Sequence, residues 1–392
     1  MDIDRLRADT PGTAHGAHLL ACGSSLPPAA VLRATIEHLE LEARIGGYEA
    51  AAQRTDALDG VYDSVARLIG AHRDEIALLE NASVAWCQAF YALPLQPGLR
   101  ILTGEAEYAA NYVAFLQRAK RDGVRIDVVP SDADGVLDVA ALASMIDDSV
   151  GLIAITWVPT NGGLVNPAAQ VGRIARRHGI PYLLDACQAI GQMPIDVEEL
   201  GCDFLSATGR KFLRGPRGTG FLYVRRPWLE RLEPAMIDFF GAPWVATDRY
   251  ELRPDARRFE TWENAYALRA GLGAAVDYAL ELGIQPIQDR VRHLADTLRV
   301  GLADVPGATL WDLGRERCAI VSFSVDSLDP ATSVTRLRDR GISIGTSKPG
   351  STRLDAEARN LPTMLRAAPH VYNTRDDIDR LIEELGRLAR SR

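Results

Sequence analysis

Two stretches decide the architecture of this chain: Tyr182-Leu183-Leu184-Asp185-Ala186-Cys187-Gln188 and, downstream, Cys202-Asp203-Phe204-Leu205-Ser206-Ala207-Thr208-Gly209-Arg210-Lys211. Each begins with a short apolar run and ends in polar residues. A run without strict alternation suits a strand covered on both faces, as in a parallel sheet. Similar runs recur at 75–79, 100–103, 125–129, 152–156 and 220–224. Amphipathic stretches at 108–122, 139–147 and 167–178 separate them and predict helices. Strands alternating with helices predict an α/β fold, a mostly parallel sheet with helices on both faces. Asp185 and Lys211 then close their strands at the carboxyl edge of the sheet, where open α/β sheets bind ligands.

With 392 residues the chain exceeds the roughly 250–300 at which a single core stops growing, so two domains are expected. After about Arg225 the rhythm changes. An irregular stretch leads to helices over 263–282 and 288–305, a strand over 319–325, a Gly/Ser/Pro-rich loop over 345–362, and a closing helix from Asp376. This pattern predicts a smaller C-terminal α/β domain. We expect a large domain over 18–257 and a small one over 258–392 joined by 1–17. A formal net charge of -8 argues against a nucleic-acid partner, because phosphate backbones attract clustered Lys and Arg. No apolar run approaches the roughly 20 residues that cross a bilayer, and the charged start Met1-Asp2-Ile3-Asp4-Arg5 lacks the apolar core of a signal peptide. Five scattered cysteines without a CxxC pair suit neither a disulfide framework nor a metal site. A cytoplasmic protein without a metal is expected.

The chemistry gathers around Asp185 and Lys211, 211 − 185 = 26 residues apart. A carboxylate at a buried strand end needs a cationic partner, since an unpaired buried charge is costly. A protonated pyridine nitrogen is such a partner. The amine of Lys211, on the same edge, can form an imine beside a cationic ring. Thr208 and Arg210 supply a hydroxyl and a fixed cation suited to a phosphate. Taken singly, each residue has a plainer reading: a turn aspartate, a solvated lysine, an N-cap. Their order along one sheet edge makes the difference.

With these residues the chain resembles the class V family of pyridoxal-phosphate enzymes, of the aspartate-aminotransferase-like fold type I. The resemblance runs from about Leu19 to the C-terminal helix. It implies pyridoxal 5′-phosphate held as a Schiff base on Lys211, with Asp185 at the ring nitrogen and Gln188 facing the ring hydroxyl. The family's Ser-x-His-Lys stands here as Thr208-Gly209-Arg210-Lys211, arginine replacing histidine. Asn81-Ala82-Ser83 matches the loop that cradles the phosphate at a helix N-terminus. In Glu107-Tyr108-Ala109-Ala110-Asn111, Tyr108 replaces a stacking histidine; it still stacks but is a poor acid or base near neutral pH. Pro159-Thr160-Asn161-Gly162-Gly163 matches a turn contacting cofactor or substrate through Thr160 or Asn161. The segment from Arg258 to Asn264, with Thr261 and Trp262, resembles one that reaches the neighbouring subunit's phosphate, which implies a homodimer with shared active sites. Arg366 matches the arginine that clamps the carboxylate of an amino-acid substrate. Arg353 is either a second substrate contact or a solvated charge. Cys187 suggests a small core residue.

Such a site labilises bonds at an amino acid's α-carbon. Desulfurases of this family carry a nucleophilic cysteine on the loop before the carboxylate arginine, and 345–362 contains none. A serine cannot replace a thiolate that accepts sulfur, so the expectation is that the chain is not a desulfurase. A lyase cleaving the C–S bond of a cysteine conjugate is favoured. A class V aminotransferase, a decarboxylative deaminase or an epimerase is the alternative.

Overall fold

A computed structural model of the protein describes residues 1–390. Seven strands form the main sheet: β1 (Ile76–Leu79), β2 (Arg100–Gly104), β3 (Arg125–Val129), β4 (Val150–Thr156), β5 (Tyr182–Asp185), β6 (Phe204–Thr208) and β7 (Gly220–Val224). Their order is β1-β7-β6-β5-β4-β2-β3. Neighbours run parallel from β6 to β3, while β7 is antiparallel to both β6 and β1. Three of the expected strands, at 125–129, 182–185 and 220–224, keep their bounds. The strand expected over 202–206 is displaced to 204–208, after Cys202 and Asp203 turn the chain in.

Successive strand residues point to opposite faces. Leu183, Phe204 and Ile101 enter one core cluster, and their neighbours Leu184, Leu205 and Leu102 enter the other. Both faces are therefore apolar, which is why these strands show no hydrophobic alternation. The fold is that of a doubly covered, mostly parallel sheet, as expected.

A second sheet holds β8 (Ala308–Leu310), β9 (Val321–Val325), β10 (Gly345–Ser347) and β11 (Met364–Ala367), in the antiparallel order β8-β9-β11-β10. The N-terminal segment joins this half of the molecule. Ala17–His18 pairs in parallel with Ile342–Ser343, and Leu20 bridges Ala368. The Tyr266–Leu282 helix, expected from 263, packs against the helices Ala29–Ile45 and Thr55–Ile69. Gly271 permits that contact: a Cβ there would sit 2.3 Å from Thr35 Oγ1 and 2.7 Å from Pro216.

Two stretches read as irregular are ordered. A hairpin pairs Trp244–Ala246 with Arg249–Tyr250. The expected loop over 345–362 contains β10, a 3₁₀ turn at Pro349–Ser351 and a helix at Arg353–Ala358. Asn161 Nδ2 pins that helix by donating to Asp355 Oδ2 at 2.6 Å. No helix among the described residues is long and apolar enough to cross a membrane.

Candidate active site

The carboxyl edge of the sheet gathers the site. Asp185 ends β5, Thr208 ends β6 and Thr156 ends β4. Because β1 runs parallel to β6, its exit leads directly to Asn81 and the Ala82–Ala92 helix at the same edge. Asn81 caps that helix, its Oδ1 accepting from Val84 N at 3.0 Å. The capped first turn presents free backbone N–H groups beside Ser83, the usual design for an anion. Gly220 opens β7 against this turn; a Cβ on it would lie 2.7 Å from the Asn81 carbonyl carbon and 2.7 Å from Ala207 O.

A cavity of about 180 Å³ lies over this edge. Asn81, Ala82, Ser83, Tyr108, Asp185, Thr208, Arg210 and Lys211 line it. Asn111 and Cys187 complete the lining. Lys211 Nζ lies 3.4 Å from Cys187 Sγ. Cys187 is thus a pocket residue, correcting its reading as core. Its neighbour Ala186 takes the inward position. Burial pushes the Cys187 thiol above its ordinary pKa, with Lys211 opposing the shift. Asp185 is nearly inaccessible, and its Oδ1 accepts from Cys187 N at 2.9 Å. Arg210 donates to Gly23 O, which ties the N-terminal segment to the cavity rim.

Gln188, Thr160 and Arg366 form a hydrogen-bonded chain. Gln188 Nε2 donates to Cys22 O at 3.1 Å and approaches Thr160 Oγ1 at 3.4 Å. Arg366 Nη1 donates to Thr160 O at 2.6 Å and to its Oγ1 at 2.5 Å. Of the two candidates in that turn, Thr160 therefore faces Gln188 and Arg366, while Asn161 is committed to Asp355. Gln188 Oε1 and Arg366 Nε are buried without a protein partner. Such orphans call for a ligand with a matching donor and acceptor.

Three expected residues lie elsewhere. Arg353 projects to solvent and pairs with Glu357 at 2.8 Å, one turn along its helix. Thr261 borders a separate small recess between β1 and the Tyr266–Leu282 helix. Trp262 is 43% exposed and stacks on Phe239 at 5.0 Å. Arg258, in the same segment, is buried and spends its guanidinium on Arg253 O and Leu232 O.

Pyridoxal phosphate fits these groups. It needs a carboxylate for its ring nitrogen, an amine for its carbonyl, donors for its phosphate and an aromatic face. Asp185, Lys211, the capped turn of Asn81 to Ser83 and Tyr108 match those needs, while the Thr208 hydroxyl donates to Thr219 O at 3.2 Å; the orphaned Gln188 Oε1 is an acceptor suited to the ring hydroxyl.

Sequence reasoning passed over Glu107, which was read only as part of a motif. It is buried behind Asp185 and accepts from Thr103 Oγ1, Tyr108 N, Asn111 Nδ2, and both N and Oγ1 of Thr156. Burial pushes its carboxyl up to about 7. A glutamate just past a strand end, four residues before an asparagine on a helix, was the available signal.

Similarity to known proteins extends over nearly all of the chain. The aminotransferase class V family model matches residues 17–381. A probable cysteine desulfurase of Methanothermobacter thermautotrophicus is 30% identical over 396 residues, covering 99% of this chain and 98% of the relative. A cysteine desulfurase of Yersinia pestis is 32% identical over 420 residues, with the same coverage. Among solved structures, the apo cysteine desulfurase of Thermococcus onnurineus NA1 superposes with a TM-score of 0.92 at 25% identity, covering 99% of this chain and 98% of that one.

These likenesses overturn the expectation that the chain is not a desulfurase, and with it the preference for a conjugate lyase or an aminotransferase. The missing cysteine of 345–362 is real. It bears on which atom would receive sulfur, whereas Asp185 and Lys211, the residues matched to the cofactor, are both present on the cavity.

Proposed function

Because this chain belongs to the class V aminotransferase family of pyridoxal-phosphate enzymes, we propose that it is a lyase removing the sulfur of cysteine. The observation that carries the reading is full-length similarity to proteins named cysteine desulfurases, joined to Lys211 and Asp185 lining one cavity. Lys211 would hold pyridoxal phosphate as an imine, and the chemistry that group would supply is electron withdrawal from the substrate's α-carbon, which weakens the Cβ–S bond. The chain's own groups do the rest. Asp185 keeps the ring nitrogen protonated. Tyr108 covers the ring, and the 81–83 turn, Thr208 and Arg210 hold the phosphate. Arg366 clamps the substrate carboxylate, with Thr160 fixing its guanidinium. Lys211 moves the α-proton.

In the net reaction the Cβ–S bond breaks, Cβ gains a proton to give alanine, and the sulfur joins a thiol as a persulfide. That thiol comes from outside the chain. The 345–362 segment has none, and Cys187 lies against the lysine. A cytoplasmic homodimer belongs to the same proposal, with Thr261 and Trp262 facing the partner's phosphate site. So does the division into domains 18–257 and 258–392 with 1–17. All five cysteines are free, as a reducing compartment keeps them.

The test is to incubate the yellow protein with cysteine and an added dithiol, and to assay alanine, sulfide, pyruvate and ammonia. Alanine and sulfide in equal amounts are expected. Pyruvate and ammonia in place of alanine would mean elimination and overturn the proposal. Cys187→Ala should still form alanine at a rate set by the added thiol. Loss of that activity with the cofactor still bound would make Cys187 the acceptor.

A further inference from the structure

We propose that Glu107 is a positioning residue for the cofactor's ring nitrogen, acting on Asp185 through the side-chain amide of Asn111. The inference rests on the reading of Asp185 as the ring-nitrogen partner. Asn111 Nδ2 donates to Glu107 Oε1 at 2.8 Å and to Asp185 Oδ2 at 3.0 Å, so one amide nitrogen spends its two hydrogens on two buried carboxylates. The amide has a single workable orientation. Flipped, its oxygen would face both carboxylates.

Glu107 is itself held from three elements. Oε1 accepts from Tyr108 N at 2.9 Å and Thr156 Oγ1 at 2.5 Å. Oε2 accepts from Thr103 Oγ1 at 3.1 Å and Thr156 N at 2.9 Å. Both oxygens therefore face N–H or O–H groups, and the site calls for an acceptor at each. The same carboxylate fixes the backbone of Tyr108, the ring expected over the cofactor. One buried acid thus sets two features of the cofactor pocket: the aim of Asp185 and the start of the helix that carries Tyr108. The titratable groups it faces are Asp185, through Asn111, and the buried Tyr182 phenol. The Asp185 charge helps to raise the Glu107 pKa. A cation paired with Asp185 should lower it again, which couples cofactor binding to loss of a proton at Glu107.

The experiment compares wild type, Asn111→Ala, Glu107→Gln and Asp185→Ala, each loaded with pyridoxal phosphate. The readouts are the cofactor's dissociation half-time, the pH midpoint of its visible band and the melting of the cofactor-free protein. Asn111→Ala leaves Glu107 four donors, so its cofactor-free melting should stay close to wild type. Its cofactor should leave on the order of 10-fold faster, with the band's midpoint displaced in the same direction as in Asp185→Ala but by less. Glu107→Gln sets an amide N–H against backbone donors and should exceed Asn111→Ala in both readouts. Where Glu107→Gln fails to fold, Asn111→Ala carries the test alone. An Asn111→Ala protein with wild-type half-time and midpoint, beside an Asp185→Ala protein that loses its cofactor, overturns the proposal and leaves the site reading intact. An Asp185→Ala protein that keeps the wild-type half-time and midpoint overturns the site reading instead.

Discussion

Arg366 and His370 stand four residues apart and divide the work at the residue scale. Arg366 leaves Nε without a protein partner, while Thr160 orients the rest of its guanidinium. Removing a desolvated, charge-assisted carboxylate contact costs about 2–5 kcal/mol. Arg366→Ala should therefore stay folded and yellow while kcat/KM for cysteine falls on the order of 10²-fold or more. Loss of the cofactor in that variant would make Arg366 structural. His370 is neutral by construction. Its Nε2–H donates to Phe212 O at 2.8 Å, and its Nδ1 accepts from Val371 N at 2.8 Å. Burial, with Arg214 nearby, depresses its pKa to about 3. The folded state thus binds this proton more weakly than the unfolded chain does. His370's contribution to stability is present above pH 6.5 and lost as pH falls toward about 3. Denaturant midpoints across that window should fall more steeply for wild type than for His370→Gln; equal slopes would sink the idea. Phe212 follows Lys211 and His370 follows the strand of Arg366, so this bond also holds the two halves of the site together.

At the scale of elements, the site depends on how closely β7 approaches the start of the 82–92 helix. Gly220 is the closest point, and the atoms a Cβ would strike are backbone rather than side chain. Backbone cannot swing aside as a flexible side chain can. Gly220→Ala should cost about 1–3 kcal/mol of stability, as overpacking does. It should also loosen the turn of Asn81 to Ser83 that is read as the phosphate cradle. The expected outcome is a lower melting temperature together with faster cofactor loss. Wild-type retention of the cofactor would show that the cradle tolerates displacement. The pinned 345–362 segment is a second element-scale feature. Held by Asn161 and carrying Arg353 outward, it borders the site without contributing a thiol.

For the whole molecule, the telling feature is where apolar side chains remain uncovered. Leu32, Ile36 and Leu39 are 52%, 42% and 50% exposed at i, i+4 and i+7 of the 29–45 helix. Val113 and Leu116 are also open, on the helix that begins after Tyr108. The apolar row Leu32, Ile36 and Leu39 on one helix face is the kind of surface that marks an interaction face, and the proposed homodimer would cover it. Sedimentation should show a dimer, and Leu32→Glu with Ile36→Glu should shift it toward monomer and reduce activity. A monomer retaining full activity at nanomolar concentration would refute shared active sites.

What the sequence by itself determined was local and periodic. Short apolar runs located the main-sheet strands, because the central strands are covered on both faces and so favour apolar residues at successive positions. The order of Asp185, Gln188, Thr208 and Lys211 placed them on one edge, because parallel strands all end on the same side. Only the tertiary structure decided the rest. Glu107 became important through donors from β2, β4 and the helix after Tyr108, whose convergence no local pattern reveals. Cys187 left the core because its backbone turns after Asp185 to face Lys211. Thr160 rather than Asn161 met Arg366 because Asp355, nearly two hundred residues downstream, took the asparagine. Chemistry of residues is written along the chain; which of them meet depends on long-range packing.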